Sequence, residues 1–383
     1  MKTFKVGILG CGNISTTYAA DINAFYHQLK IAACADLDRA RAEKLAAAYG
    51  IPRVCTPEEL LQDREVEIII NLTPPQAHEK VNRQIIEAGK HLFSEKPFAQ
   101  TAASARETLE LAEKAGVRVG CAPDTYLASG LQSVRWYLDS GLIGKPFFVT
   151  ANMTTFGSET WHPDPEAFYR KGSGPLYDMA PYYLAAIISL LGPVERVAAI
   201  SAGGDRPRRI YVGERAGSEI MPEVPTHYSA LMHMKSGVVV NLNVTYDIYR
   251  SNLPMFEIYG DGGTLTYPDP NFGGGAPTVY RKEQFTDTVY RHTEEAEERK
   301  QVFHELPELF TRAKDYSRGI GVLDLARAIE RNGPNRTGGE MIVHLTEVTE
   351  GLKASAETGE FIRMRTACER PEPLQPGRAL GDL

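Results

Sequence analysis

The chain has 383 residues, 43% of them hydrophobic and 24% charged, with a formal net charge of −7. That length accommodates two domains with separate cores, and the acidic balance argues against nucleic acid as a partner. No apolar run approaches the roughly 20 residues of a membrane span, and five scattered cysteines without a C-x-x-C pair suit a reducing cytoplasm and argue against a structural zinc site.

In chain order, residues 5–9 are a short apolar run that breaks at Gly10-Cys11-Gly12 and continues through Asn13-Ile14-Ser15. A buried strand turning through G-x-G into a helix is how a pyrophosphate cradle is made. The glycines permit a tight turn and close backbone approach, and the N–H groups at the helix start face the anion. Ser15 replaces the third glycine, so this motif alone leaves an ordinary strand–turn–helix corner open. Cys11 reads as a small filler. Residues 31–35 form a second buried strand ending at Asp36, which lies 24 positions after Gly12. That is close to the roughly 20-residue spacing of an acid that bonds the adenosine ribose. A carboxylate there repels a 2′-phosphate and favours NAD over NADP. A cap for the following helix is the competing role, and Arg39 or Arg41 leave NADP possible.

Strands and helices then alternate. A helix over residues 39–49 is closed by Gly50, a short strand covers 54–55, and a helix starts at Pro57. A strand over 68–70 precedes a helix over 76–88. Another strand over 91–93 precedes a helix over 102–115, closed by Gly116, and a strand covers 117–119. Strands spaced by helices predict a parallel, doubly wound Rossmann-type sheet. After residue 123 the pattern changes to longer strands over 147–155, 194–201, 228–234, 238–244 and 256–259. These predict a second α+β domain with a mainly antiparallel sheet. The expected domains are 1–122, 123–368 and a loosely ordered tail, 369–383. The charge run 294–300 reads as a solvated helix face.

Two further clusters carry chemistry. Ser94-Glu95-Lys96-Pro97 follows a strand end, where parallel sheets hold ligands. A lysine there is placed to act on substrate, with its pKa lowered by partial burial and by a positive nicotinamide. A surface Glu–Lys pair is the alternative. Gly172-Ser173-Gly174-Pro175 is a flexible turn leading to Asp178 and Tyr182, four apart and so expected on one helix face. They suit a hydroxylated substrate, while a carboxylate complementing the helix dipole beside a half-buried tyrosine is the plainer reading.

Together these residues, with Asn71-Leu72-Thr73-Pro74-Pro75 and His78, resemble the glucose–fructose oxidoreductase / inositol dehydrogenase (Gfo/Idh/MocA) family from Lys5 to about Met364. Glu95-Lys96-Pro97 is the most specific element. The resemblance implies a nucleotide-binding domain that takes NAD, with NADP possible, and a second domain whose open antiparallel sheet supports substrate binding and oligomerisation. It also implies oxidation or reduction of a secondary alcohol on a sugar, polyol or glycoside. By that resemblance Lys96 is the proton shuttle, Asp178 is the substrate-helix acid, and Thr73-Pro74 lies beside the nicotinamide ribose. The expected cofactor residues are Gly10, Gly12, Asn13, Ile14, Asp36, Thr73, Pro74, His78, Glu95 and Lys96.

Two departures matter. Tyr182 stands where the family often has histidine, and a phenol with a reference pKa near 10 is a poor base at neutral pH. Tyr182 serves as the base only if Lys96 and the oxidised cofactor stabilise its phenolate; otherwise it donates to the substrate oxygen while Lys96 moves the proton. Pro123-Asp124-Thr125-Tyr126 replaces a frequent arginine pair, which disfavours carboxylated or phosphorylated substrates and leaves Asp124 as a substrate contact. Trp161-His162 between prolines either stacks on a sugar face, with His162 replacing the missing histidine, or covers a sheet edge. The leading expectation is an NAD-dependent sugar or polyol dehydrogenase or reductase, cytoplasmic and a homodimer or homotetramer, with no metal, membrane or nucleic-acid partner. The alternatives are a recycled NAD used for glycoside elimination or rearrangement, and a non-catalytic NAD-binding regulator.

Overall fold

A computed structural model describes residues 2–286, 302–310 and 317–377; the charge run 294–300 lies outside them. The chain forms two compact units, one of residues 1–128, 311–350 and 366–383 and the other of 129–310 and 351–365.

The first unit is built on six parallel strands, β1 (Phe4–Leu9), β2 (Leu29–Ala35), β3 (Val54–Cys55), β4 (Ile68–Asn71), β5 (His91–Ser94) and β6 (Val119–Cys121). Their spatial order is β3-β2-β1-β4-β5-β6, so the winding reverses between β1 and β4, where such sheets bind ligands. The central strands β1, β4 and β5 are almost wholly buried because helices cover both faces. The helices begin and end where local chemistry directs. The Asp38 carboxylate accepts from Ala40 N–H ahead of the helix Arg39–Tyr49, and Thr56 and Glu59 form a reciprocal capping box for Pro57–Gln62. Gly50 and Gly116 end two helices in the left-handed conformation.

The second unit carries a nine-stranded sheet. In spatial order its strands are His304–Glu305, Thr278–Arg281, Gly263–Tyr267, Phe256–Gly260, Pro146–Thr154, Val239–Thr245, His227–Met234, Val194–Ala202 and Ile362–Arg363. Every neighbouring pair is antiparallel except Pro146–Thr154 with Val239–Thr245. Strands 146–154, 194–202 and 239–245 therefore run the same way, and the segments that follow them leave from one edge. One sheet face is apolar and buried, through Val149, Ala151, Met153, Val240, Leu242, Val244, Ala230 and Met232. All twelve residues of the helix Ala180–Leu191 are buried too.

Three features differ from the sequence reading. The sixth strand begins at Val119, because the Val117 N–H returns to the Ala112 carbonyl and closes the preceding helix. Asp178 and Tyr182 do not share one helix. Gly174–Asp178 ends there, and Ala180–Leu191 starts after Met179. Pro181 lacks the N–H that would continue a single helix. The division of the chain also differs, since the helix Ile320–Arg331 and residues 366–377 belong to the first unit. Leu374 is 3% exposed and the Glu372 carbonyl accepts from Arg336 Nε at 2.7 Å, so this stretch is docked. Among the described residues no helix is long and apolar enough to cross a membrane.

Candidate active site

In the first unit, register aligns the strand ends. Leu9 pairs with Ala35 and with Asn71, Asn71 with Ser94, and Ser94 with Cys121. The residues that follow, from Gly10, Asp36, Leu72 and Glu95, thus emerge along one edge at the β1–β4 reversal. All ten of the expected cofactor residues lie on these segments or at the helix starts that follow them.

The two cradle glycines serve different needs. Gly10 has φ +98°, and a Cβ there would stand 2.6 Å from the Leu72 carbonyl, so β1 and β4 can approach only if this residue is glycine. Gly12 has an ordinary φ of −79° and precedes the helix Asn13–Phe25 without a side-chain cap or an acidic first turn. A Cβ on Gly12 would meet nothing within 4 Å. It would project into the open space at the helix start, which is where a pyrophosphate needs backbone contact. Asp36 accepts from Cys11 N–H at 2.6 Å and from Asp38 N–H at 2.8 Å. These bonds orient the carboxylate and leave each oxygen a further lone pair for a hydroxyl. The segment therefore fits a dinucleotide. Cys11 is buried, its thiol pushed up by a hydrogen bond with Cys34 and by burial, as befits a filler.

Behind this edge lies a buried polar network. Asn71 Oδ1 accepts from the Thr73 hydroxyl at 2.7 Å and from Thr73 N–H at 3.1 Å. Asn71 Nδ2 donates to Asn82 Oδ1 at 2.8 Å, and Asn82 Nδ2 donates to the Phe98 carbonyl at 3.2 Å. His78 is 2% exposed, with Nε2 2.7 Å from the Thr73 carbonyl and Nδ1 2.9 Å from the Pro97 carbonyl. Both ring nitrogens are thus committed to backbone, and His78 ties the Thr73-Pro74 segment to Lys96-Pro97. Burial lowers its pKa, while the two carbonyls oppose that shift. Glu95 accepts from the Tyr18 hydroxyl at 2.8 Å and from Lys96 N–H at 3.0 Å. Tyr18 comes from the helix that starts at the cradle, so the cradle helix and the half-buried Lys96 share an anchor. The Lys96–Pro97 bond is cis. Tyr18 and Asn82 were missed in the sequence because a polar residue on an amphipathic helix carries no mark of its burial.

Asp124, three residues past the end of β6, is fully buried. Its Oδ2 accepts from Gly321 N–H at 2.8 Å and from Gly319 N–H at 3.2 Å, at the start of the helix Ile320–Arg331. Burial raises its pKa. The absence of a side chain at Gly321 matters here, since a Cβ would lie 2.8 Å from Asp124 Cβ.

In the second unit, half-buried Asp178 accepts from the Tyr246 hydroxyl at 2.5 Å. Tyr246 is 3% exposed, and burial and the Asp178 carboxylate push its pKa well up, so it remains a donor. It sits one residue past the strand Val239–Thr245, 68 positions from Asp178, a spacing that no local motif reveals. Tyr182 is 6% exposed, at the start of the apolar helix. Trp161 and His162 meet edge to face at 5.4 Å, each also against Phe168. Among the described residues no cluster of three His, Cys, Asp or Glu could hold a metal ion.

Comparison with known proteins agrees with this architecture. A family model for an oxidoreductase family with an NAD-binding Rossmann fold matches residues 4–122, and one for the GFO/IDH/MocA C-terminal domain matches 131–266. A dTDP-3,4-didehydro-2,6-dideoxy-alpha-D-glucose 3-reductase from Saccharopolyspora spinosa is 27% identical over 269 residues, covering 69% of this chain and 74% of that protein. An inositol 2-dehydrogenase from Paracoccus denitrificans is 36% identical over 119 residues, 30% of this chain and 35% of that one. Apart from the Saccharopolyspora reductase, the chain spans about half the length of the curated relatives it matches, or less. A levoglucosan dehydrogenase solved with NADH and L-sorbose has the same fold, with a TM-score of 0.76 and 19% identity over 95% of this chain and 99% of that one. With both domain models matched in order on the expected sheets, the chain belongs to the Gfo/Idh/MocA oxidoreductase family.

Proposed function

We propose that the protein is an NAD-dependent dehydrogenase or reductase of a secondary alcohol on a sugar, polyol or glycoside. The observation that carries this reading is Lys96, half-buried beside Glu95 on the strand-end edge that also bears the dinucleotide cradle. Relatives named for inositol and sugar-nucleotide chemistry support the substrate class. NAD held at Gly10, Gly12 and Asp36 would supply the hydride acceptor for the carbinol carbon in the oxidative direction. Lys96, entering as the neutral amine, takes the hydroxyl proton at Nζ as the C–O bond becomes a carbonyl. Glu95 fixes the Lys96 backbone and contacts the cofactor with Thr73 and Pro74. Gly10, Gly12, Asn13 and Ile14 cradle the pyrophosphate and Asp36 takes the ribose. Asp178, held by Tyr246, accepts from substrate hydroxyls, Tyr182 donates to the reacting oxygen, and Trp161 with His162 packs on the ring.

The protein works in the cytoplasm as a homo-oligomer. The uncovered sheet face exposes Ile200 at 74% and Leu231 at 51%, and a second copy would shield it. The test is absorbance at 340 nm with NAD and a panel of aldoses, inositols and glycosides, on wild type and Lys96→Met. Wild type is expected to form NADH with one group of compounds. Lys96→Met should lower turnover by about 10²–10⁴-fold while calorimetry still registers NAD binding. Undiminished turnover in Lys96→Met would remove the shuttle, and no NADH with any compound would remove the reading.

A further inference from the structure

The loops of the second unit carry an aromatic structure that the chemistry above does not use. Phe156 lies in its middle. The Arg208 guanidinium stands 4.9 Å from the ring centroid, Tyr249 stacks on Phe156 at 4.1 Å and 15°, and Tyr211 meets it edge-on at 6.3 Å. Arg208 is itself buried, with its other flank 5.2 Å from the Tyr169 ring. Its Nε donates to Glu159 at 2.7 Å, Nη1 to Asp247 at 2.5 Å, and Nη2 to the Tyr246 carbonyl at 2.5 Å. An outermost tyrosine that is 80% exposed is therefore mounted on a buried ionic base.

This structure is continuous with Asp178. Tyr246, which bonds Asp178, meets the Tyr169 ring edge to face at 5.9 Å. The segments bearing Phe156, Tyr211 and Tyr249 follow the three strands that run in one direction. Tyr211 N–H donates to the Glu159 carbonyl at 3.0 Å, and Arg215 pairs with Asp164 at 2.7 Å, which joins these segments beside Trp161.

Aromatic faces with polar tips match a pyranose, whose C–H face is apolar and whose rim is hydroxylated. Arg208 is neutralised by two carboxylates and offers no charge to a phosphate or carboxylate. Tyr249 is too open to enclose a reacting ring, since small-molecule sites bury most of their ligand. We propose that Tyr249, stacked on Phe156, and Tyr211, edge-on to it, bind the second pyranose ring of a neutral di- or oligosaccharide whose first ring is held by Asp178. The inference rests on the function proposed above and narrows its substrate.

The test is calorimetry on the full chain saturated with NADH, comparing glucose with cellobiose and maltose, and galactose with lactose. At least one disaccharide is expected to bind about tenfold more tightly than its monosaccharide, the size of one good stacking contact. Tyr249→Ala should bring that ratio below about twofold, and Tyr249→Trp should restore it. A wild-type ratio near one for every pair, no saccharide binding, or a ratio unmoved by Tyr249→Ala overturns the inference. An unmoved ratio with an altered mass by light scattering assigns the surface to contact between copies and overturns it equally. NADH formation from monosaccharides without disaccharide preference defeats this inference alone, whereas no NADH from any saccharide defeats the underlying function.

Discussion

The working edge of the first unit is mostly backbone: strand ends in register, a turn forced through Gly10, and helix-start N–H groups beside Gly12. The corresponding edge of the second unit is side chain, with Asp178 held by Tyr246 and an aromatic stack standing on Arg208, Glu159 and Asp247. The cradle turn itself, Gly10 to Asn13, is a run of adjacent residues and so is local in sequence. A side-chain site draws partners from loops tens of residues apart and fails when one charge loses its counterpart.

The sharpest break of this contrast is Arg208→Ala. It strands Glu159, fully buried, without its cation, and removing one partner of a buried pair costs about 3–5 kcal/mol. Thermal unfolding should fall steeply while NAD still binds the first unit at permissive temperature; an unchanged melting temperature would show the network to be dispensable. Next are the two glycines. Gly10→Ala should cost about 3 kcal/mol, from left-handed strain and a backbone clash. Gly12→Ala should leave stability nearly intact and weaken NAD binding by calorimetry. Equal effects on folding would erase the distinction between a glycine required by the strands and one required by the ligand.

Tyr246→Phe removes one hydrogen bond to a carboxylate, worth about 1.5–3 kcal/mol at most where water can substitute. The expected result is a raised KM for the saccharide with NAD affinity untouched. A loss of NAD affinity instead would place Tyr246 in the wrong role.

The smallest effect is pH dependence in the first unit. His78 is lowered by burial, and His91 by burial and Arg118. Both native forms resist a proton that the unfolded chain accepts near pH 6.5. Their stabilisation is complete above that value and is lost as pH falls toward the native pKa values. Melting temperature should therefore decline below about pH 6.5. His91→Asn, which can still accept from Arg118 N–H as Nδ1 does at 2.9 Å, should flatten the slope. An identical slope in that variant would assign it elsewhere.

This contrast also explains what was legible in the sequence. The alternation of strand and helix, the G-x-G turn and the Glu95-Lys96-Pro97 edge were readable because strand burial and turn chemistry are written in neighbouring residues. Asp178 was readable as a motif residue but its helix was not, because Pro181 breaks after Met179 what the four-residue spacing suggests. The sequence offers Asp124 as a substrate contact but gives no sign that its Oδ2 accepts from the N–H groups of Gly319 and Gly321, nearly 200 positions away. Tyr246 and Arg208 gave no signal, since only the folded sheet brings their loops to Asp178 and Glu159.

The shared direction of strands 146–154, 194–202 and 239–245 has a consequence for how this protein can change. Their three trailing segments can lengthen, shorten or exchange aromatic residues without altering a pairing of the nine-stranded sheet. Under the proposed function, selection for a new substrate would act on loop residues one at a time, while the sheet and the cradle-bearing edge of the first unit stay as they are.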